Sequence, residues 1–276
     1  MSAGSTTLLL WSEEFADHKN GQLPEDTWNF DIGDGSSVGL TGWGNHEREY
    51  YTKDSVLIDG NLIIAAKRVA PDSGLTCYYG PAEWTSGKIH TANKIGFKFG
   101  RIEIKAKMPS GVGTWPALWM LGVNLLHGVA WPHCGEIDIL ENTGAHPFQV
   151  QGTIHGDGYF GENGLTKIIQ SATELSTDFH TYSIDWTPDS IEWFFDGISY
   201  NRIDRADVES QGKLWPFSQE FYIIMNLAIG GWFAGEVDPD LSNAELIVES
   251  IKYYSCLLYT SPSPRDRQKS RMPSSA

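Results

Sequence analysis

The sequence predicts an all-β protein built as a sandwich of two antiparallel sheets, and three observations support this prediction. Short segments of alternating apolar and polar residues recur along the chain. Turn residues separate these segments, and the 276 residues include 29 glycines. No stretch has the pattern of an amphipathic helix longer than two turns. Many strands at short spacing, with no long helices between them, are typical of antiparallel sandwiches.

The clearest strand is the segment 100–108, "GRIEIKAKM", in which apolar and charged residues alternate strictly. One face carries Ile102, Ile104, Ala106 and Met108, and the other carries Arg101, Glu103, Lys105 and Lys107. Because successive side chains of a strand point to opposite faces, we expect the apolar set to pack in the core. Further strands are expected at 61–68, 180–186, 190–197, 220–229 and 246–254.

Residues 1–256 are expected to form one domain, followed by a separate tail at 257–276. The tail is rich in serine, proline and basic residues and has no apolar periodicity, so it should be disordered. It also resembles translated vector sequence, and a genuine basic tail is the alternative. Near the start, the apolar run Leu8-Leu9-Leu10-Trp11 is too short for a transmembrane span or a signal peptide.

The net charge of −15 argues against nucleic acid and anionic membrane surfaces as partners. A neutral ligand is expected instead. The 11 Trp and 11 Tyr favour a sugar-binding cleft, since flat rings stack on the apolar faces of sugars, although some of these rings must lie in the core. Cys77, Cys134 and Cys256 have neither metal-ligand spacing nor a disulfide framework, and a Cys77–Cys134 bond stays open.

The segment 133–142, "HCGEIDILEN", contains three carboxylates among large aliphatic residues. In a strand, Glu136 and Asp138 share one face while the aliphatic residues beside them point into the core. Glu141 comes one residue too late to continue this alternation. A β-bulge would return it to the face of the other two acids. The alternative is that the strand ends at Leu140 and Glu141 begins a loop.

Three carboxylates on one face repel one another, which is costly unless they share protons or perform chemistry. A retaining glycosidase needs two carboxyls about 5–5.5 Å apart, one as nucleophile and one as acid/base. Glu136 and Glu141 could fill these roles if the bulge shortens the strand, and Asp138 could share a proton with Glu136. This chemistry requires no metal or cofactor. A calcium site and a solvated strand face are the alternatives.

The segment 135–141, "GEIDILE", matches the E-x-D-x-x-E signature of glycoside hydrolase family 16 in its bulged form. This form resembles the laminarinase (endo-β-1,3-glucanase) branch, with agarases and carrageenases sharing it. The resemblance covers about residues 8–254. Other segments similar to laminarinases, in the same order, are "WSEEF" (11–15), "GWGNHEREYYT" (42–52), "DGNLIIAAKR" (59–68), "GRIEIKAKMPSGVGTWPALWMLG" (100–122), "WPHCGEIDILE" (131–141), "GTIHG" (152–156) and "NLAIGG" (226–231).

The resemblance implies a β-jelly-roll whose concave sheet forms an open substrate cleft. By family role, Glu136 is the nucleophile, Asp138 its partner and Glu141 the acid/base. The cleft positions carried onto this chain are Asn45, Arg101, Trp115, Trp119, His155, Asn226 and Trp232. His155 has independent support, because a turn at 142–147 would fold the next strand back beside Glu136. A surface histidine without a role is the alternative.

Four of the other cleft positions have competing interpretations. Trp115 and Trp119 lie in the apolar run "WPALWML" and could belong to the core. Asn45 could serve a turn, and Arg101 could be an ordinary outward charge on a strand.

A structural calcium ion is also implied by the resemblance, away from the cleft. The matching positions are Glu14, Gly60 and Glu249. Glutamate in place of the usual aspartate adds a methylene group, and an empty surface cluster is the alternative. No cofactor is expected for catalysis.

The expected function is endo-acting, retaining hydrolysis of β-1,3-glucan of the laminarin type. One alternative is a non-catalytic β-glucan recognition protein on the same fold, although such relatives typically lack the catalytic glutamates. The other is a family hydrolase acting on mixed-linkage glucan or a galactan, because "NHERE" (45–49) and "LTCYYGPAEW" (75–84) depart from the family in expected cleft loops. The resemblance also implies an extracellular location, and a monomer is expected.

Overall fold

The computed structural model describes residues 8–18 and 21–255, and almost all of its regular structure is strand. The strands are β1 (Leu9–Glu14), β2 (Asn29–Phe30), β3 (Glu49–Tyr51), β4 (Val56–Ile58), β5 (Leu62–Arg68), β6 (Thr76–Cys77), β7 (Gly80–Pro81), β8 (Trp84–Ser86), β9 (Lys88–His90), β10 (Gly100–Lys107), β11 (Thr114–Gly122), β12 (Glu136–Glu141), β13 (Gln149–His155), β14 (Leu165–Gln170), β15 (His180–Trp186), β16 (Ser190–Phe195), β17 (Ile198–Asp204), β18 (Phe221–Ile229) and β19 (Asn243–Tyr254). The helices are short: α1 (Arg205–Ser210), α2 (Gly231–Ala234) and the 3-10 turns Phe15–Asp17, Ser36–Val38, Thr41–Gly44, Lys53–Ser55, Val123–His127 and Gly161–Asn163.

Two large sheets are formed, as the alternating segments predict. The seven-stranded sheet has the order β14-β13-β12-β11-β18-β9-β2. The ten-stranded sheet follows the path β17-β16-β15-β10-β19-β5-β8-β3, with β1 also paired to β19 and β4 to β5. The strand pairs are antiparallel except for β3 with β8. A small hairpin of β6 and β7 completes the set found in the described ranges.

The core lies between the inner faces of the two sheets. On β10, Ile102, Ile104 and Ala106 are fully buried, whereas the charged residues between them stay half-exposed, as predicted. Ile137 of β12 and Ile154 of β13 belong to the same buried cluster as these β10 residues. Residues adjacent to the buried positions therefore point outward, on opposite sides of the molecule for β10 and β12.

The sequence also led to expectations for the tail, the cysteines and membrane-spanning segments. The predicted tail at 257–276 and Cys256 lie outside the described residues. Cys77 and Cys134 are separate buried free thiols, so no disulfide joins them. In the described part of the chain, no helix is long and apolar enough to span a membrane.

Candidate active site

The bulge predicted in β12 is present in the structure. Against β11, Leu140 pairs with Leu118 and Asp138 with Trp119, which leaves Ile139 without a partner. Against β13, the step from Asp138 to Glu141 spans three residues, whereas the matching step on β13 spans two. One extra residue in β12 relative to both neighbours is the definition of a bulge.

The bulge sorts the side chains of β12 into two sets. Ile139 and Leu140 are both buried in the core, although they are consecutive. Glu136, Asp138 and Glu141 consequently share the outer face of the seven-stranded sheet. The alternative in which Glu141 begins a loop is excluded, because Glu141 is a paired residue of the strand.

Strand β13 brings a histidine to the first two acids. His155 is the register partner of Glu136, as the turn after β12 predicts, and it is only 9% exposed. Its Nε2 lies 3.2 Å from Asp138 Oδ2 and 3.7 Å from Glu136 Oε1. His155 is therefore a buried part of the carboxylate cluster and not a surface histidine.

Two tryptophans hold the two glutamates by their indole N–H groups. Trp131 Nε1 donates to Glu136 Oε2 at 2.8 Å, and Trp115 Nε1 donates to Glu141 Oε1 at 3.2 Å. Gln151 Nε2 also donates to Glu141 Oε2, at 3.4 Å. Glu136 thus has one carboxyl oxygen held by a donor, which restricts the direction of its second oxygen, whereas both oxygens of Glu141 accept hydrogen bonds.

The pKa values of the three acids are all raised above their usual range. Burial is the main cause for each of them. The negative charge of Asp138 further raises the pKa of both glutamates, while the charge of His155 lowers it. For Asp138, a hydrogen bond with Glu136 opposes the effect of burial on the pKa. The cluster therefore retains protons at a pH where free carboxyls have lost them.

A chain of hydrogen bonds continues from β11 across the sheet. Trp119 Nε1 donates to Asn226 Oδ1 at 2.7 Å, and Asn226 Nδ2 donates to the Tyr51 hydroxyl at 3.1 Å. That hydroxyl donates to Glu47, which also accepts from Asn45 Nδ2 at 2.9 Å. Asn45, Trp119 and Asn226 are thus linked by hydrogen bonds on the side of the sheet that carries the acids.

Trp232 is the most exposed of the predicted cleft residues. It lies in α2 with 71% of its surface exposed, and its ring centroid is 4.6 Å from that of His46. Its backbone N–H donates to the carbonyl of Asn45. An exposed indole next to this hydrogen-bonded chain is available to stack on a sugar ring.

Trp131 and Lys88 belong to the site, but the sequence reasoning did not identify them. Trp131 is 42% exposed and contacts Glu136 directly. Lys88 of β9 lies opposite Asn226, with its Nζ 4.1 Å from the ring centroid of Trp43 and 5.5 Å from that of Trp119. The position of Trp131, five residues before Glu136 and next to a proline, is a feature of the sequence that points to the site. The sequence around Lys88 has no such feature.

The structure contradicts the prediction that Arg101 lies in the cleft. Arg101 is on β10 of the ten-stranded sheet, and its side chain points outward next to the core residue Ile102. It forms ion pairs with Glu103 at 2.7 Å and Asp185 at 3.0 Å. The strict alternation of β10 decides its direction, so Arg101 is the ordinary outward charge of the alternative interpretation.

The residues proposed for calcium are occupied by other contacts. Glu14 Oε1 lies 3.1 Å from Lys252 Nζ, and Glu249 Oε2 lies 2.7 Å from Lys105 Nζ. Gly60 sits in a turn with φ of 67°. Each of these two carboxylates has a lysine as its ion-pair partner. The calcium site stays a prediction, and no step of the chemistry depends on it.

Known proteins resemble this chain over most of its length. Residues 45–248 match the family described as "Glycosyl hydrolases family 16". A beta-glucanase of Rhodothermus marinus is 39% identical over 257 residues, covering 89% of this chain and 84% of the relative. A glucan endo-1,3-beta-glucosidase of Cryptopygus antarcticus is 36% identical over 266 residues, covering 86% of each chain.

A solved structure shows the same architecture. The laminarinase catalytic domain from Thermotoga maritima superposes with a TM-score of 0.85 and 38% identity, covering 90% of this chain and 98% of that domain. The two-sheet fold is therefore the predicted β-jelly-roll, and the resemblance first detected in "GEIDILE" is confirmed across the chain. The chain belongs to glycosyl hydrolase family 16.

Proposed function

We propose that this protein is an endo-acting, retaining hydrolase of β-1,3-glucan of the laminarin type. The observation that carries the proposal is the common outer face of Glu136, Asp138 and Glu141, produced by the bulge in β12. The two relatives described above are named a beta-glucanase and a glucan endo-1,3-beta-glucosidase, which supports the substrate class.

In the first step, Glu136 attacks the anomeric carbon with one carboxylate oxygen while Glu141 donates its proton to the departing glycosidic oxygen. The bond from the anomeric carbon to that oxygen breaks, and a glycosyl ester of Glu136 forms. Burial raises the pKa of Glu141 to about 8, so Glu141 is protonated before the reaction, as an acid must be. The Trp115 N–H keeps that carboxyl in place.

Asp138 and His155 prepare Glu136 for this attack. Burial raises the pKa of Glu136 and that of Asp138 to about 8 as well, so the attack requires Asp138 to hold the proton of this pair while Glu136 is ionised. His155 Nε2 lies 3.2 Å from Asp138 Oδ2, and the charge of this histidine lowers the pKa of Glu136. The Trp131 N–H donates to the carboxylate of Glu136, which favours its charged form.

In the second step, Glu141 acts as a base. Its carboxylate takes a proton from water, the water oxygen attacks the anomeric carbon, and Glu136 departs as a carboxylate. Two displacements at one carbon return the original configuration. Both steps use protein side chains and water alone.

We assign the remaining cleft residues to substrate binding. Trp115, Trp119 and Trp232 offer rings for the apolar faces of sugars, while Asn45 and Asn226 offer amides for the hydroxyls. The neutral polysaccharide suits a site whose charges are engaged with one another. We further propose that the enzyme acts outside the cell, where such polymers occur, and that it works as a monomer.

A product profile tests the proposal. The purified protein should release reducing ends from laminarin and curdlan, with oligosaccharides of several lengths among the early products. Lichenan should be cleaved more slowly and agarose not at all. Binding to laminarin without release of reducing ends would instead indicate a recognition protein. Preferred cleavage of lichenan or agarose would assign the enzyme to mixed-linkage glucan or galactan.

A further inference from the structure

Glu136, Asp138 and His155 present one ligand atom each to a common point. The three atoms, two carboxylate oxygens and an imidazole nitrogen, all lie within 4.8 Å of one another. His155 Nε2 is 3.2 Å from Asp138 Oδ2 and 3.7 Å from Glu136 Oε1. These residues come from two adjacent strands whose register is fixed by the sheet.

Two of the three ligand-atom separations are close to those of a tetrahedral metal site. Zinc binds histidine nitrogen and carboxylate oxygen at about 2.0–2.2 Å, so neighbouring ligand atoms in a tetrahedron are separated by roughly 3.3 Å. The separations at His155 differ from this value by a few tenths of an ångström. The two carboxylate oxygens lie within 4.8 Å of each other, and rotation of their side chains would bring them to the same spacing.

Asp138 supplies a second observation that points to a ligand. Its side chain is buried, with 2% of the residue exposed, and its Oδ2 has no hydrogen-bond partner among the described residues. This oxygen is the atom that faces His155 Nε2. A buried acceptor without a donor is costly, and a cation would remove that cost.

Trp131 determines which oxygen of Glu136 is available. Its indole N–H holds Glu136 Oε2 at 2.8 Å, so the other oxygen, Oε1, is turned toward His155. The side chain of Glu136 keeps 16% exposure, which leaves room for a water molecule as fourth ligand. Three protein ligands with one open position are the usual arrangement at catalytic zinc sites.

We propose that Glu136, Asp138 and His155 form a binding site for a divalent transition-metal ion such as Zn²⁺, and that the bound ion inhibits the enzyme. Two carboxylates and one neutral imidazole balance the charge of such an ion. The nitrogen ligand selects against Ca²⁺ and Mg²⁺, which take oxygen ligands. The inhibition rests on the proposed function, because the ion occupies the oxygen with which Glu136 attacks. The binding of the metal itself does not rest on that function.

The binding is tested by calorimetric titration of Zn²⁺ into the full chain without a histidine tag. We expect one site, and we expect its Kd to rise on the order of a hundredfold in His155→Ala and Asp138→Asn. Co²⁺ should produce the visible absorption of a four-coordinate site, and both substitutions should abolish it.

His180→Ala is the matched control. His180 also forms a close pair with an aspartate, with Nδ1 2.7 Å from Asp196 Oδ2, but it lies on the ten-stranded sheet. This variant should bind Zn²⁺ with the affinity of the wild type. If Asp138→Asn or His155→Ala, folded by circular dichroism, binds Zn²⁺ as tightly as the wild type, or if the wild type binds none, the site is refuted.

Kinetics separate the two parts of the proposal. Zn²⁺ should lower kcat/KM for laminarin, and excess Mg²⁺ should not relieve the effect. Zn²⁺ binding that depends on His155 but leaves kcat/KM unchanged would overturn the inhibition. A protein without laminarin activity would refute the proposed function, while the calorimetric result would still decide the metal site.

Discussion

The outer faces of the two sheets carry charged residues in opposite ways. Around β10, Arg101 is paired with Glu103 and Asp185, and Lys105 is paired with Glu249. Around β12, three acids stand together, and within the described residues their only ion-pair partner is a histidine, which contacts the first two. Strand alternation predicts outward charges in both regions, so direction alone does not identify a site.

The two faces differ in what their charged residues contribute to the free energy of folding. Exposed opposite charges on β10 contribute about 0–1 kcal/mol per pair and are a common surface feature. On β12, burial and the neighbouring charge of Asp138 raise the pKa of Glu136 and Glu141, and ionisation of these acids at neutral pH favours unfolding. Keeping these acids together lowers the stability of the folded state, and such a cost is typical of functional sites.

The largest contrast between the two faces is expected when one glutamate is removed from each. Glu136→Ala should lower the rate on laminarin by more than about ten-thousandfold, because water is a poor substitute for a positioned nucleophile. Glu103→Ala, the control on β10, should retain at least half of the wild-type rate. Initial rates of reducing-sugar release measure both.

Azide gives the first prediction a second measurement. Added azide should restore turnover of an activated glycoside by Glu136→Ala, with inversion at the anomeric carbon. If the pure Glu136→Ala variant keeps a tenth of the wild-type rate, Glu136 is not the nucleophile.

The next effect concerns the acid. Glu141→Gln should lose about 100- to 10,000-fold on laminarin, because an amide cannot deliver a proton to the leaving oxygen. On an aryl glycoside with an activated leaving group, the first step needs no acid and should recover much of its rate. Burst kinetics on the aryl substrate measure that step. Equal losses on both substrates would show that Glu141 is not the acid/base.

The bulge should matter less than the acids that it positions. Deleting Leu140 restores strict alternation, "GEIDIE", with all three acids still on one face. The aim of the acid/base should change by about 1 Å, which costs on the order of a hundredfold in rate. Because Leu140 is fully buried, the variant should also unfold at lower temperature. Circular dichroism and laminarin rates test both, and an unchanged rate would show that the bulge does not position Glu141.

The unfolding free energy should depend on pH differently in the wild type and in Glu141→Gln. Burial raises the pKa of Glu141 from 4.5 to about 8, so the folded state favours its protonated form. Its contribution is fully present below pH 4.5 and is lost as the pH rises toward 8. Glu141→Gln stays neutral and lacks this loss. Urea denaturation at pH 5 and pH 8 should therefore show a smaller fall in unfolding free energy for the variant. Equal falls would contradict the raised pKa.

The sequence predicted the features that depend on periodicity and failed on those that depend on distant packing. The alternation of β10, the bulge of β12 and the placement of His155 all follow from local rules, and all are confirmed. Arg101 was assigned to the cleft by matching family positions, against its own alternation. Lys88 could not be assigned, because its role depends on rings supplied by β11 and a loop far away in sequence.

Substitutions of Arg101 and Lys88 should have the smallest effects on the rate. They test directly which of the two outer faces binds the substrate. Arg101→Ala should change kcat/KM on laminarin less than twofold, because its partners Glu103 and Asp185 lie on the face opposite the acids. Lys88→Ala should raise the KM several-fold with a small effect on kcat. The substitution removes the cation that packs on Trp43 and Trp119 and pairs with Asp31, and the less firmly held rings should bind the sugar more weakly by about 1 kcal/mol.

The two substitutions are matched, since each removes one cation from an outward strand position of a different sheet. Circular dichroism and thermal melting exclude unfolding as the cause of any change. Lys88→Arg serves as a second control, because it preserves the charge over the rings and should keep most of the affinity. A larger effect from Arg101→Ala than from Lys88→Ala would place the substrate on the ten-stranded sheet. That result would reverse the assignment of the cleft, since no single substrate chain could contact both outer faces at once.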